Sequence, residues 1–361
     1  MRMRKAAQIV FCVTLMFFLF AGTAFGGGGR QQQDRADRTM IVGMSAINLT
    51  DAGLIQIRLG AEFAARDYNM ELRWLACDGN PDVQLDQIRA FIQQRVDAIW
   101  IDSVDVAVIA PIIREITDAG IIAMTAGSRV EGVGNFNPIY PDYEDHYFAG
   151  RVVGEYLRGQ TGTVGLIVAM PGSMISENRQ QGFTNAIAQF PNLRLVVGQG
   201  RWDASVAMQT AEDMIRANPD LLHIHVIADG MSYGVIRALD NTGTRDRITL
   251  SSSDGEAEAL RIMETEGIYI LNNAVGNARL GYWGVALLRR IFDGEQMAYD
   301  QFLPTYPIMT ERVRGIAEAA GLMNLHGRQR RFLTINEARE LLSPESFRRE
   351  FGPGPGFAPQ R

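Results

Sequence analysis

The chain has 361 residues, 47% of them hydrophobic, with 35 Lys and Arg against 41 Asp and Glu. That length allows two domains, each with a core of ordinary size. The net charge of −6 argues against nucleic acid or an anionic membrane surface as a partner, because a polyanion repels it.

Arg2, Arg4 and Lys5 precede an apolar run over residues 9–20, and Ala24 and Gly26 place small residues on either side of Phe25. This is the pattern of a cleaved secretory signal peptide over residues 1–26, because the apolar run is short for a bilayer span. An uncleaved anchor is the alternative. Cys12 leaves with the signal peptide, so Cys77 has no partner for an internal disulfide and is expected as a buried core thiol. Residues 27–39, rich in Gly and Gln, read as a flexible leader.

From residue 40 onward strand and helix patterns alternate. Residues 41–46, 71–77, 97–101 and 121–125 read as strands, and apolar residues recur at helical spacing between them. The stripe Val108, Ile109, Ile112, Ile113 and Ile116, closed by Gly120, is the clearest of these helices. Residues 127–142 are rich in Gly, Asn and Pro without periodicity, and mark a crossing between domains. A second set follows: a helix with Val152, Val153 and Tyr156, then strands at 164–169, 193–198, 222–228, 248–252 and 269–273 with helices between, and a long helix over 280–292. Residues 303–309 are a short extended run. The remainder is arginine-rich and more helical, and from Gly352-Pro353-Gly354-Pro355 it reads as a loose tail.

Strands alternating with helices of this length imply an α/β fold of parallel sheets covered on both faces. About ten strands divided near residue 140 fit two doubly wound lobes better than one very wide sheet. In the opening of the second set, Ser176 is expected to cap a helix, Glu177 to sit in its first turn, and Arg179 to stand above the strand end.

No metal-ligand spacing, nucleophile elbow, phosphate loop or dinucleotide fingerprint is present, and no cofactor is expected. His223 and His225 share one face of a strand and read as core residues rather than metal ligands. Polar residues instead gather just past strand ends: Asn48, Asp51, Asp78, Asn80, Asp102, Ser103, Asp105 and Arg129 in the first half, then Arg179, Trp202, Asp229, Asp254, Asn272 and Asn273 in the second. A parallel sheet brings all such positions to one edge, where ligands bind. Taken singly, each Asp or Asn is as well explained as a turn residue or helix cap. Together, carboxylates, amides, arginines and one aromatic face suit a neutral polyhydroxylated ligand, whose hydroxyls donate to carboxylates and accept from Arg or Asn.

Over residues 40–313 the chain resembles the ribose-binding-like (type I) periplasmic sugar-binding proteins of ABC transporters. The likeness rests on DGNPDVQLDQIRAFIQQRVDAIWID from Asp78, DSVD from Asp102, ENRQQGF from Glu177, IADGMSYGVIRAL from Ile227 and SSSDG from Ser251. It implies two lobes joined by a hinge: residues 40–141 with about 275–304, and 142–274 with about 305–325, followed by a C-terminal extension over 326–361. It also implies a periplasmic, non-enzymatic receptor that docks on a membrane permease. Asp102, Arg179, Trp202 and Asp254 match ligand-contacting positions, and Asp229 stands beside one, where Ala228 replaces the contacting Asn. The family's paired aromatics after the first strand read Gly53-Leu54 here. Its Asp-Arg after the fourth strand reads Ala126-Gly127-Ser128, with Arg129 displaced by one. Its late Gln falls on Val275, which leaves Asn273 as the nearest polar residue.

The resulting expectation is a secreted, monomeric receptor that captures a sugar or polyol through Asn48, Asp51, Asp102, Arg129, Arg179, Trp202, Asp229, Asp254 and Asn273 and delivers it to an ABC permease. The alternatives are a sensor that hands its liganded form to a membrane kinase or chemoreceptor, and a secreted glycoside hydrolase using a carboxylate pair.

Overall fold

The computed structural model describes residues 38–353 apart from 127–128, 131–134 and 328. The signal peptide, nearly all of the leader, Gly127-Ser128 and Gly354-Pro355 lie outside the described residues.

Two six-stranded sheets form, in the orders β11-β5-β4-β3-β1-β2 and β12-β10-β9-β8-β6-β7. The first holds β1 (Met40–Ala46), β2 (Met70–Ala76), β3 (Ala98–Ile101), β4 (Ile122–Thr125), β5 (Asn135–Ile139) and β11 (Asp300–Phe302). The second holds β6 (Gly162–Val168), β7 (Leu193–Gln199), β8 (Leu221–Val226), β9 (Thr249–Asp254), β10 (Tyr269–Ala274) and β12 (Tyr306–Met309). Every ladder is parallel except β10–β12. The fold is therefore two doubly wound α/β lobes. The chain passes between them after β5, after β10 and between β11 and β12.

The helices are α1 (Ala52–Tyr68), α2 (Pro81–Gln93), α3 (Val106–Asp118), α4 (Asp142–Tyr156), α5 (Met174–Ile187), α6 (Ala204–Ala217), α7 (Asp229–Thr242), α8 (Ala257–Glu266), α9 (Asn277–Phe292), α10 (Glu311–Ala319), α11 (Ile335–Leu341) and α12 (Pro344–Phe351). Asn80, Asp105 and Asp203 cap α2, α3 and α6 through side-chain oxygens that accept free backbone N–H groups. α5 starts one turn earlier than expected. Ser173 is its cap, and the Ser176 hydroxyl instead accepts from Ala169 N at 3.1 Å, stitching the helix to the end of β6.

The second lobe has one continuous apolar core, including Val164, Leu166, Ile224, Val226 and Leu250. The first lobe has a core on each face of its sheet. Cys77 is buried and donates its thiol to Ala46 O at 3.3 Å. A small fourth cluster of Tyr140, Val275, Leu280, Trp283, Leu287 and Leu303 takes one residue from each of the three crossings. β5 and β11, at one end of the first sheet, are short strands that periodicity does not reveal: five and three residues show no alternation, and only their neighbours define them.

Candidate functional site

A cleft lies between the carboxyl ends of the two sheets. The lobes meet across its mouth. A methyl group placed on Gly230 of α7 would lie 3.5 Å from Ala52 Cβ of α1, and Arg129 N donates to Met174 Sδ at 3.3 Å.

Arg179 projects from the second turn of α5 and is 4% exposed. Its Nε donates to Asp142 Oδ1 at 2.7 Å, and its Nη1 donates to Ile227 O at 2.6 Å and to Asp254 Oδ1 at 3.3 Å. Burial opposes its charge, but the two carboxylates outweigh that and raise its pKa. Among the described residues Nη2 makes no hydrogen bond, and Arg179 lines the cleft. A guanidinium clamped on two sides is a fixed donor, which loses little freedom when a ligand arrives.

Asp254 ends β9 with a φ of 118°. Burial pushes its carboxyl up to about 7 against the pull of Arg179, and the charges of Glu256 and Asp51 add to the rise. Asp102, past β3, accepts from Ile47 N at 3.3 Å. Burial, then the charge of Asp51, lifts it to about 7. Asp51 caps α1 by accepting from Leu54 N at 3.0 Å, and burial raises its pKa also. Asn48 accepts from Thr50 N and Asp51 N at 2.9 and 2.7 Å, which holds the turn and keeps its amide on the cleft wall. For Asn48 and Asp51 the cap and the cleft-wall readings both hold. Trp202, in left-handed backbone at φ 58°, lines the opposite wall.

Three expected residues do not reach the cleft wall. Arg129 turns outward, its Nε 3.4 Å from Asp300 Oδ2 and its guanidinium over Tyr299. Asp229 is wholly buried beneath the wall. It accepts from Asn272 Nδ2 at 2.7 Å and Glu256 N at 2.8 Å, while its own N–H holds Asp254 Oδ2 at 3.3 Å. It therefore positions Asp254 from below. Asn273 lies inside β10 rather than past it, and the strand's alternation turns it away; its Nδ2 donates to Asp145 O at 3.2 Å.

Other residues of the wall are not evident from strand-end polarity. Met44 pairs in register with both Trp74 and Trp100, so these three form one row of large side chains across β2-β1-β3. All three line the cleft, together with Leu54 and Tyr140. Trp100 is held there by Gly284 of α9, where a Cβ would lie 2.3 Å from the ring. The first lobe thus has its aromatics, supplied by strands instead of the loop at Gly53-Leu54. Inter-strand register, which no single sequence shows, is the signal that would have found them. Trp74 Nε1, Ser103 Oγ and Tyr140 Oη are buried with no hydrogen-bond partner, and all three residues line this cleft.

His223 and His225, expected in the core, are there, and His146 joins them. His146, His223 and His225 are buried, with His146 Nδ1 2.9 Å from His225 Nε2 and Ser251 Oγ between His223 and His225. Burial lowers all three pKa values. Among the described residues no group of three His, Cys, Asp or Glu is arranged to hold a metal.

Two α/β lobes meeting over a largely apolar cleft with a few buried polar groups define a hinged binding protein. Residues 42–296 match the model of the periplasmic binding protein domain family, and the chain belongs to that family. It is 21% identical over 262 residues to the ribose import binding protein RbsB of Bacillus subtilis, covering 72% of this chain and 84% of that one. Among solved structures, a periplasmic solute-binding protein from Actinobacillus succinogenes with bound D-allose superimposes with a TM-score of 0.70 at 18% identity, over 77% of this chain and all of the other. The fructose-binding periplasmic domain of a hybrid two-component system superimposes at 0.69 and 16%, over 84% and 99%. These are solute-binding proteins, not enzymes. The hydrolase alternative therefore falls away. Among the described residues no helix is long and apolar enough to cross a membrane.

Proposed function

We propose that this chain is an exported periplasmic receptor that closes its lobes on one small, neutral, polyhydroxylated molecule, a sugar or polyol, and delivers it as a monomer to the permease of an ABC transporter. The observation that carries this reading is the set of unpartnered buried groups, Trp74 Nε1, Ser103 Oγ and Tyr140 Oη, in one cleft with Arg179. A buried donor without an acceptor costs about 1–3 kcal/mol, and ligand oxygens would relieve all of these at once. Asp51, Asp102 and Asp254 supply acceptors for hydroxyl protons, and Trp74, Trp100 and Trp202 supply apolar surface for a ring face. The wall has more carboxylates than guanidinium groups, which disfavours phosphorylated or acidic sugars.

Thermal denaturation with a panel of pentoses, hexoses, polyols and sugar phosphates tests the reading. At least one neutral compound should raise Tm, and sugar phosphates should not. A flat response across neutral compounds, with a shift from an anionic one, would overturn it. The second reading, a sensor that reports ligand to a membrane kinase, is favoured by the likeness to a two-component periplasmic domain. Co-purification of the liganded protein with a permease or with a kinase separates the two.

A further inference from the structure

The family match ends at residue 296, yet the chain beyond α10 is built tightly into the molecule. Leu333 N donates to Pro307 O and forms a bridge beside β12. Arg330 Nη1 donates to Asp145 Oδ1 at 2.7 Å and stacks over Phe148. Ala338 of α11 is fully buried in the core of the second lobe. Residues 329–341 thus belong to that lobe.

The next helix belongs to the other. Phe347 of α12 is 2% exposed in the core of the first lobe, against Tyr282. Arg348 makes two bonds of 2.8 Å to Asp67, whose side chain is 2% exposed. Glu350 accepts from Arg279 Nε at 3.1 Å and Nη2 at 2.6 Å, and Arg279 is wholly buried. Tyr68 donates its hydroxyl to Phe351 O. Only Leu342 and Ser343 separate the two docked helices.

The path runs over the hinge. Leu342 packs on Gly276, where a Cβ would meet its Cδ2 at 2.4 Å, in the crossing between β10 and α9. Arg279 Nη1 also donates to Pro304 O at 2.8 Å, in the crossing between β11 and β12. Phe351 packs against the cluster that draws one residue from each crossing.

We propose that residues 329–353 form an interlobe strap that restrains opening and holds the ligand-free protein toward the closed arrangement. Two residues span at most about 7 Å, so the link has no slack. Rotation of one lobe about the crossings must bend it or detach α12. Detachment takes the counter-charges from Asp67 and Arg279 and exposes Phe347, which is unfavourable. The strap thereby replaces part of the closing work that a ligand would otherwise do.

Small-angle X-ray scattering of the ligand-free, full-length protein tests this without reference to any ligand. Arg348→Met combined with Glu350→Gln should increase the radius of gyration over wild type. Arg339→Ala, which breaks an exposed pair with Glu264 on the second lobe, should not. If the double variant does not fold, Glu350→Gln alone is measured, since Glu350 is one-third exposed. A lowered Tm with an unchanged radius of gyration would reduce the segment to structural cladding and overturn the proposal. The outcome is independent of whether the ligand is a sugar.

Discussion

Arg179 Nε donates to Asp142 Oδ1 at 2.7 Å, which ties the helix after β6 to the first residue of α4, immediately past the crossing between the lobes. The same guanidinium reaches Asp254 at 3.3 Å. One cation therefore fixes the end of a crossing, a strand end and the cleft floor together.

Arg179→Ala leaves Asp142 and Asp254 buried without their counter-charge. The expected loss is about 3–5 kcal/mol of stability, read by urea denaturation. Because the stranded carboxylates can take up protons, the loss should be smaller at pH 5 than at pH 8.

Three buried carboxyls, two on the cleft wall and Asp142 behind Arg179, each contribute a pH dependence of the same sign. Burial raises Asp102 and Asp254 to about 7 and Asp142 to about 6, from an ordinary value of 3.8. The folded state therefore holds these protons more tightly than the unfolded state. The associated stability is complete below the ordinary carboxylate range and is lost as pH rises through about 4 to 7. Buried His146, His223 and His225, whose pKa values burial lowers, act in the opposite direction, so the variant is compared with wild type: from pH 5 to pH 8 the Tm of Asp102→Asn should fall less, or rise more, than that of wild type. An identical slope in the variant would assign the dependence to other groups.

Tyr140→Phe and Ser103→Ala each remove a buried hydroxyl that has no partner. Neither should destabilise the ligand-free protein. Each should weaken the ligand found by the thermal screen by about 0.5–1.5 kcal/mol, measured by calorimetry. Lost stability with unchanged affinity would mean that these hydroxyls serve the fold.

Trp202→Ala should weaken binding by about 1–3 kcal/mol if its ring packs on the ligand. Trp202 also packs against the core of the second lobe, so Tm must be measured alongside. Unchanged affinity with a lower Tm would leave it a packing residue.

Much of the fold was legible because buried parallel strands are apolar throughout and their covering helices carry 3.6-residue stripes. The helix α3 stripe Ile109, Ile112, Ile113 and Ile116 is buried as its spacing requires. β5 and β11 escaped because a strand of three to five residues has no period to read. For the cleft, strand-end polarity located Asn48, Asp51, Asp102, Arg179, Trp202 and Asp254 on the wall. It also pointed to Asn273, which is inside a strand, to Asp229, which is buried beneath the wall, and to Arg129, which pairs with Asp300 instead.

By itself the sequence determined that two α/β units would form and that their strand ends would carry carboxylates, amides and Arg179, because these follow from local periodicity and chain order. Tertiary structure alone decided which of those groups share a wall, since inter-strand register and lobe packing depend on contacts between distant residues. It put Trp74 and Trp100 beside Met44, buried Asp229 beneath Asp254, and gave Asp67 and Arg279 partners 281 and 71 residues away. Those last pairings turn an arginine-rich tail into a strap across the hinge, because a buried charge must be met by whichever segment the fold brings to it.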